Sequence, residues 1–234
     1  MRQFEEIIAL AANRRGGIDA LEAALVTSRC KTPAEIAATP DDRILAAMAR
    51  HVFQAGFSWK VIDAKWDGFE AAFDAFGPAR CASMPEDRFD DLLKDTRIIR
   101  NAAKVRSVVA NARFILDLAA ASGSAGRFFA DWPDTDYIGL LEVLKKRANR
   151  LGGGSAMRFL RSIGKPAFIL TEDVVAALIR EGVLSGPPSG KRDLAIVQGA
   201  FNQWSAASGR DLTAMSRILA MSAGKIADEY DLPH

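Results

Sequence analysis

Three consecutive glycines between basic stretches are the residues of this chain best placed to do chemistry. They lie in Leu151-Gly152-Gly153-Gly154-Ser155-Ala156-Met157-Arg158-Phe159-Leu160. Glycine permits positive φ and lets backbone approach another group closely. A helix starting near Ser155 leaves its first N–H groups unpaired, at the positive end of the helix dipole. Lys145 and Lys146 precede the glycines, and Arg158, Arg161 and Lys165 follow. Arg147 and Arg150 complete a run from Val143 to Leu170 that contains no acidic residue. Free N–H groups, a dipole and basic side chains together suit a phosphate. This is the logic of a helix–hairpin–helix, which grips double-stranded DNA without reading its sequence and in a salt-sensitive way. Two plainer readings stand beside it: a tight turn between helices and a solvated charged face. A P-loop is excluded, because no Gly-Lys-Ser/Thr follows the glycines.

Few other chemistries are open to this sequence. There are two histidines, His51 and His234, and two cysteines, Cys30 and Cys81, in no metal-ligand spacing. No Ser-His-Asp arrangement can be argued from two histidines. The cysteines have no helper groups nearby in sequence and read as inert. His51 is the one internal histidine, equally suited to a buried, hydrogen-bonded core position and to a functional one. No apolar stretch approaches the length of a membrane span. Glu5 and Glu6 stand where a secretion signal needs an apolar run. A cytoplasmic protein with no membrane or obligate protein partner is the expectation.

The 234 residues are 49% hydrophobic and 26% charged, with a net charge of +2. That composition excludes disordered, collagen-like and disulfide-scaffold classes. The patterning is helical throughout. Thr32-Pro33-Ala34-Glu35 reads as a capping box with proline at the first helical position. Thr39-Pro40-Asp41-Asp42 and Ser83-Met84-Pro85-Glu86 repeat the device. Behind them Ile44, Met48 and Val52, then Phe69, Phe73 and Phe76, then Leu92, Leu93 and Ile98 recur at helical spacing. Gly16-Gly17, Gly77-Pro78, Gly123 to Gly126 and Ser185 to Gly190 read as loops. About ten helices and no substantial sheet are expected.

Gln54-Ala55-Gly56-Phe57-Ser58-Trp59 resembles the Gln-Ala-Gly-Leu-Ser-Trp signature of the DNA-3-methyladenine glycosylase I family. The likeness continues through Phe69-Glu70-Ala71-Ala72-Phe73, Ile98-Ile99-Arg100-Asn101-Ala102-Ala103-Lys104 and Asn111-Ala112-Arg113. It resumes at the hairpin and at Thr171-Glu172-Asp173-Val174-Val175. The tail from Ala200 to Ala223 resembles the closing helices of the wider helix–hairpin–helix glycosylase superfamily.

The resemblance implies an all-α fold of two lobes around a central cleft. The segment before about Thr32 reads as a separate short helical pair, an extension over residues 1–31, leaving 32–234 for a glycosylase domain. Such enzymes flip a damaged base from duplex DNA and cut its N-glycosidic bond. By matching position, Phe57 would wedge into the gap, and Gln54, Phe57 and Trp59 would bind the substrate. Trp59 would stack on an alkylated purine such as 3-methyladenine. Gly152, Gly153, Gly154 and Ser155 would anchor the backbone. His51 occupies the place of the family's pocket carboxylate; with Trp59 it would form the catalytic pair. A zinc ligand of the family maps to Asp173 and its N-terminal partners are missing, so no metal or other cofactor is expected. Thr171 replaces the superfamily's catalytic aspartate. Met157 stands where lyases carry lysine, so the expected enzyme is monofunctional. The alternative is a DNA-damage-binding protein with altered or lost catalysis.

Overall fold

The computed structural model describes residues 1–27 and 29–223, so His234 lies outside the described residues. The described residues form fifteen α-helices and two short 3-10 turns and no strand. The helices are α1 (Phe4–Arg15), α2 (Ile18–Val26), α3 (Pro33–Ala37), α4 (Asp41–Gln54), α5 (Trp59–Ala64), α6 (Trp66–Ala72), α7 (Pro78–Ala82) and α8 (Glu86–Leu92). They continue as α9 (Ala102–Ser122), α10 (Ala125–Asp131), α11 (Tyr137–Arg147), α12 (Gly154–Ser162), α13 (Glu172–Arg180), α14 (Lys191–Ser208) and α15 (Leu212–Ala223). The all-α expectation holds. The number exceeds ten because six elements have only five to seven residues, below what apolar periodicity resolves.

The chain divides into two compact units. One comprises residues 1–30, 134–138 and 166 onward. The segment before residue 31 is therefore an integral part of that unit. Phe4 packs against Trp204 with ring centroids 5.6 Å apart, and the Trp204 indole donates to the Arg2 carbonyl. Phe201 stacks on Phe168 at 4.4 Å. Residues 166–170 lie in no helix or strand. Their polar backbone is satisfied by α15, where the Thr213 and Ser216 hydroxyls accept from the N–H groups of Ala167 and Ile169. Buried backbone polar groups need such partners.

The second unit comprises residues 31–133 and 139–165 and carries every residue singled out for DNA or base contact. Its centre is α4, which buries Ile44, Leu45, Met48, Ala49, Val52 and Phe53. Burying a Phe53-sized side chain contributes about 2–3 kcal/mol. Phe53, Trp66, Phe69, Phe73 and Phe76 form one aromatic cluster beneath it. Asp74, Ala75 and Phe76 turn left-handed at φ 51°, 54° and 57°. Arg43 holds that turn, donating to the Ala75 carbonyl at 2.7 Å and to the Glu70 carboxylate.

Helix starts follow the sequence with a shift at two of three. Thr32 forms its capping box with Glu35. At α4 and α8 the N-caps are Pro40 and Pro85, so Thr39 and Ser83 are not caps. Proline's fixed φ suits the extended cap position as well as the first turn. Gly126 also departs from expectation, lying inside α10 and not in a loop. A Cβ there would meet the Ile36 and Thr39 carbonyl oxygens at 2.7 Å, so α10 approaches the end of α3 through a hole only glycine leaves. Gly126→Val should therefore lower stability by about 2–3 kcal/mol, measured as a reduced urea midpoint. An unchanged midpoint would contradict the close approach.

Candidate nucleic-acid and base-binding site

The signature segment is a turn. Ala55 sits at φ −61°, ψ 113°, and Gly56 at φ +77°. The Phe57 N–H donates to the Gln54 carbonyl at 3.1 Å. These are the features of a type II turn, which demands positive φ at its third residue and so favours glycine there. The turn stops α4 and throws Phe57 outward, where it is 41% exposed. Trp59 follows as the first residue of α5 and is half-buried.

A buried lysine fixes this turn. Lys104, on α9, donates from Nζ to the carbonyls of Phe53 and Ala55 at 3.0 and 2.6 Å. The last carbonyls of a helix lack internal partners and carry the negative end of the dipole. The ammonium also lies 4.5 Å from the Phe57 ring centroid. Burial, together with the nearby Arg150 guanidinium, pulls Lys104 below the ordinary lysine pKa. Lys104 thus clamps the Phe57 loop; nothing in its sequence neighbourhood signals that role. Asn101 caps α9 by accepting from the Lys104 N–H.

The hairpin is held from the same helix. The Asn111 amide on α9 donates to the Asn149 carbonyl and accepts from the Asn149 N–H, at 3.1 and 2.6 Å. Arg150 and Gly153 then adopt positive φ, 60° and 53°. Gly152, Gly153 and Gly154 are exposed and Ser155 is half-buried. Gly153 caps α12 with no side-chain partner for the first N–H groups. Lys145, Lys146, Arg147 and Arg150 are exposed around this turn. Arg161 is half-buried. Lys165 departs from the basic surface expected of it: it is buried and donates to the Trp132 carbonyl, closing the end of α10.

Arg158 sits differently from the surface cations. Its guanidinium lies 5.9 Å from the Trp59 ring centroid. A Cβ on Gly154 would come within 2.8 Å of its Nη1. The side chain therefore folds back along the start of α12 toward the signature residues. His51 is buried in the last turn of α4. Burial lowers its pKa to about 4, helped by the charges of Arg158 and Arg50, so the imidazole is neutral at physiological pH. Gln54, one turn on, is buried with its Oε1 unpartnered. Arg50 stacks on Trp66 at 4.2 Å and pairs with Asp63 at 3.8 Å.

Thr171 caps α13 by accepting from the Val174 N–H. Glu172 and Asp173 occupy the first turn of that helix. No group of three or more His, Cys, Asp or Glu residues is arranged to hold a metal among the described residues. Cys81 is buried, donates to the Phe73 carbonyl, and has its thiol pushed up to about 12 by burial. No helix among the described residues is long and apolar enough to cross a membrane.

Residues 36–142 match the family model described as methyladenine glycosylase. This chain carries the methyladenine glycosylase pattern there. DNA-3-methyladenine glycosylase 1 of Escherichia coli (strain K12) is 35% identical over 65 residues, 28% of this chain and 35% of that protein. The DNA-3-methyladenine glycosylase of Haemophilus influenzae is 32% identical over 79 residues, 34% of this chain and 40% of that protein. The chain thus matches little more than a third of the length of these curated relatives. The 8-oxoguanine glycosylase/lyase of Methanocaldococcus jannaschii, solved in complex with DNA containing 8-oxoguanine, aligns with TM-score 0.55 and 12% identity. That alignment covers 92% of this chain and 95% of that one, and shows the all-α DNA glycosylase fold. The sequence resemblance is borne out. Its matched segment contains His51, Gln54, Phe57, Trp59 and Lys104, while the glycine hairpin lies beyond it.

The lowered His51 pKa sets a pH dependence. Above about pH 6.5 the imidazole is neutral in both folded and unfolded chains and makes no difference. As pH falls from 6.5 toward 4 the unfolded chain takes up a proton that the folded chain refuses, so stability falls. The loss across that window is about 3 kcal/mol. His51→Gln should remove this slope, seen by comparing urea midpoints at pH 7 and pH 4.5. A wild-type protein and variant with parallel pH profiles would contradict a buried neutral imidazole.

Proposed function

We propose that the chain is a monofunctional DNA N-glycosylase that removes alkylated purines from double-stranded DNA. One observation carries the reading: an aromatic side chain, Phe57, is held exposed on a clamped turn, two residues before a half-buried Trp59. Apolar side chains in exposed, fixed loops are what base-flipping proteins insert between base pairs. The exposed glycine turn with Lys145, Lys146, Arg147 and Arg150 supports backbone anchoring at the same unit. The names of the curated relatives support alkylated purines, 3-methyladenine foremost, as the substrate class.

In this reading the DNA backbone is held at residues 152–155 and Phe57 fills the space left by the extruded base. Trp59 stacks on that base. The C1′–N bond breaks through an oxocarbenium-like state, and water completes the sugar. No lysine stands at Met157 for a Schiff base, and no metal or cofactor is used. The two free cysteines favour the cytoplasm, where DNA repair is needed.

Incubating the protein with duplexes that each carry one alkylated purine, methylated or with an exocyclic ring, should yield free base and an abasic site. No free base from any of them would overturn the reading. Trp59→Ala should reduce release about 10- to 100-fold by loss of stacking, with affinity for undamaged DNA retained. Replacing Lys145 and Lys146 by alanine should reduce the slope of log affinity against log salt by about 1–2, for any sequence. An unchanged slope would remove these lysines from the DNA surface.

A further inference from the structure

The charge around Trp59 is inverted relative to what a cationic base needs. Arg158 faces the Trp59 ring at 5.9 Å and has no hydrogen bond or carboxylate partner among the described residues. Its guanidinium lies along the start of α12, with Nη1 2.8 Å from where a Cβ on Gly154 would sit. The nearby carboxylate, Asp63, is paired with Arg50. His51, where the resemblance calls for a carboxylate, is a buried neutral imidazole. Lys104 adds a further cation at the end of the helix that carries His51 and Gln54. The unpaired charge at the stacking residue is therefore positive.

A base methylated on a ring nitrogen carries a positive charge in DNA and leaves as a neutral molecule. A guanidinium beside it opposes binding of the charged base and meets no developing anion to stabilise as the bond breaks. An uncharged damaged base behaves oppositely. When its C1′–N bond breaks, the electron pair goes to the base nitrogen and the base departs as an anion. A guanidinium donating to a carbonyl or ring nitrogen of that base interacts more strongly as the charge develops, which is the condition for catalysis. Water then bonds to C1′ of the oxocarbenium, and the proton it sheds ends on the departed base anion. We propose that the Trp59 pocket takes a damaged base that is uncharged at neutral pH and presents hydrogen-bond acceptors, with Arg158 as the residue that donates to it. The proposal rests on the reading of the chain as a base-releasing glycosylase and changes its substrate class from cationic alkylated purines to uncharged damaged bases.

Single-turnover base release by the purified full chain tests it. The probes are duplexes containing 7-methylguanine and alkylated DNA bearing 3-methyladenine on the cationic side. Duplexes containing hypoxanthine, 1,N6-ethenoadenine or 8-oxoguanine stand on the uncharged side. The expected result is release of at least one uncharged base at ten times or more the rate of either cationic base. Arg158→Met should lower that release about 100-fold, the usual loss on removing one preorganised donor, with undamaged-DNA affinity and thermal midpoint preserved. Gly154→Ala, which crowds the guanidinium without removing it, should lower release in the same direction. Release of the cationic bases alone would overturn the proposal and leave the glycosylase reading standing. Release of an uncharged base that Arg158→Met leaves unchanged would also overturn it. No release from any probe would overturn the glycosylase reading itself.

Discussion

The arrangement of the site depends on one buried ammonium group. Lys104 reaches across from α9 to the final carbonyls of α4, and the turn after α4 is shaped around it. A cation of this kind in the interior is costly unless its donors are used. Here two carbonyl oxygens and the face of Phe57 surround it. The helix end supplies partial negative charge where the ammonium lies, and the type II turn at Ala55 and Gly56 supplies the change of direction. Phe57 can then stay exposed without collapsing into the aromatic cluster below.

The same long helix organises the second half of the site. Asn111 fixes Asn149 through a reciprocal pair of hydrogen bonds, immediately before the chain turns left-handed at Arg150. One rigid element of 21 residues thus sets both the wedge loop and the glycine turn. Function placed on loops needs a rigid support of this kind. Arg158, carried by the helix after the glycine turn, brings the charge of the hairpin to Trp59 and His51.

Much of this was legible in the sequence where the signals are local. The helical period, the Thr32 capping box, the glycine turn and the exposed basic residues around it all act within a few residues of one another. The signature segment pointed to Phe57 and Trp59 through resemblance, and the positive φ of Gly56 explains why a glycine belongs there. The residues whose roles sequence does not show act over long separations. Lys104 meets partners about fifty positions away and Lys165 one about thirty positions away; in sequence both look like ordinary surface lysines. Arg158 reads as one more phosphate contact because sequence does not show that Gly154 leaves room for it to fold back. Gly126 reads as a loop because the two carbonyls it accommodates belong to a distant segment. Thr39 and Ser83 fail as caps because proline can take the cap itself.

The claim that Lys104 holds Phe57 ready for insertion is tested most directly by 2-aminopurine fluorescence. The probe base is placed next to a damaged base in a duplex, and its emission rises when the neighbouring stack is opened. Wild-type protein should raise the emission on binding. Lys104→Met should bind the same duplex within a few-fold of wild type yet leave the emission close to that of free DNA. An equal rise with both proteins would contradict the account, because the turn would then present Phe57 without its clamp.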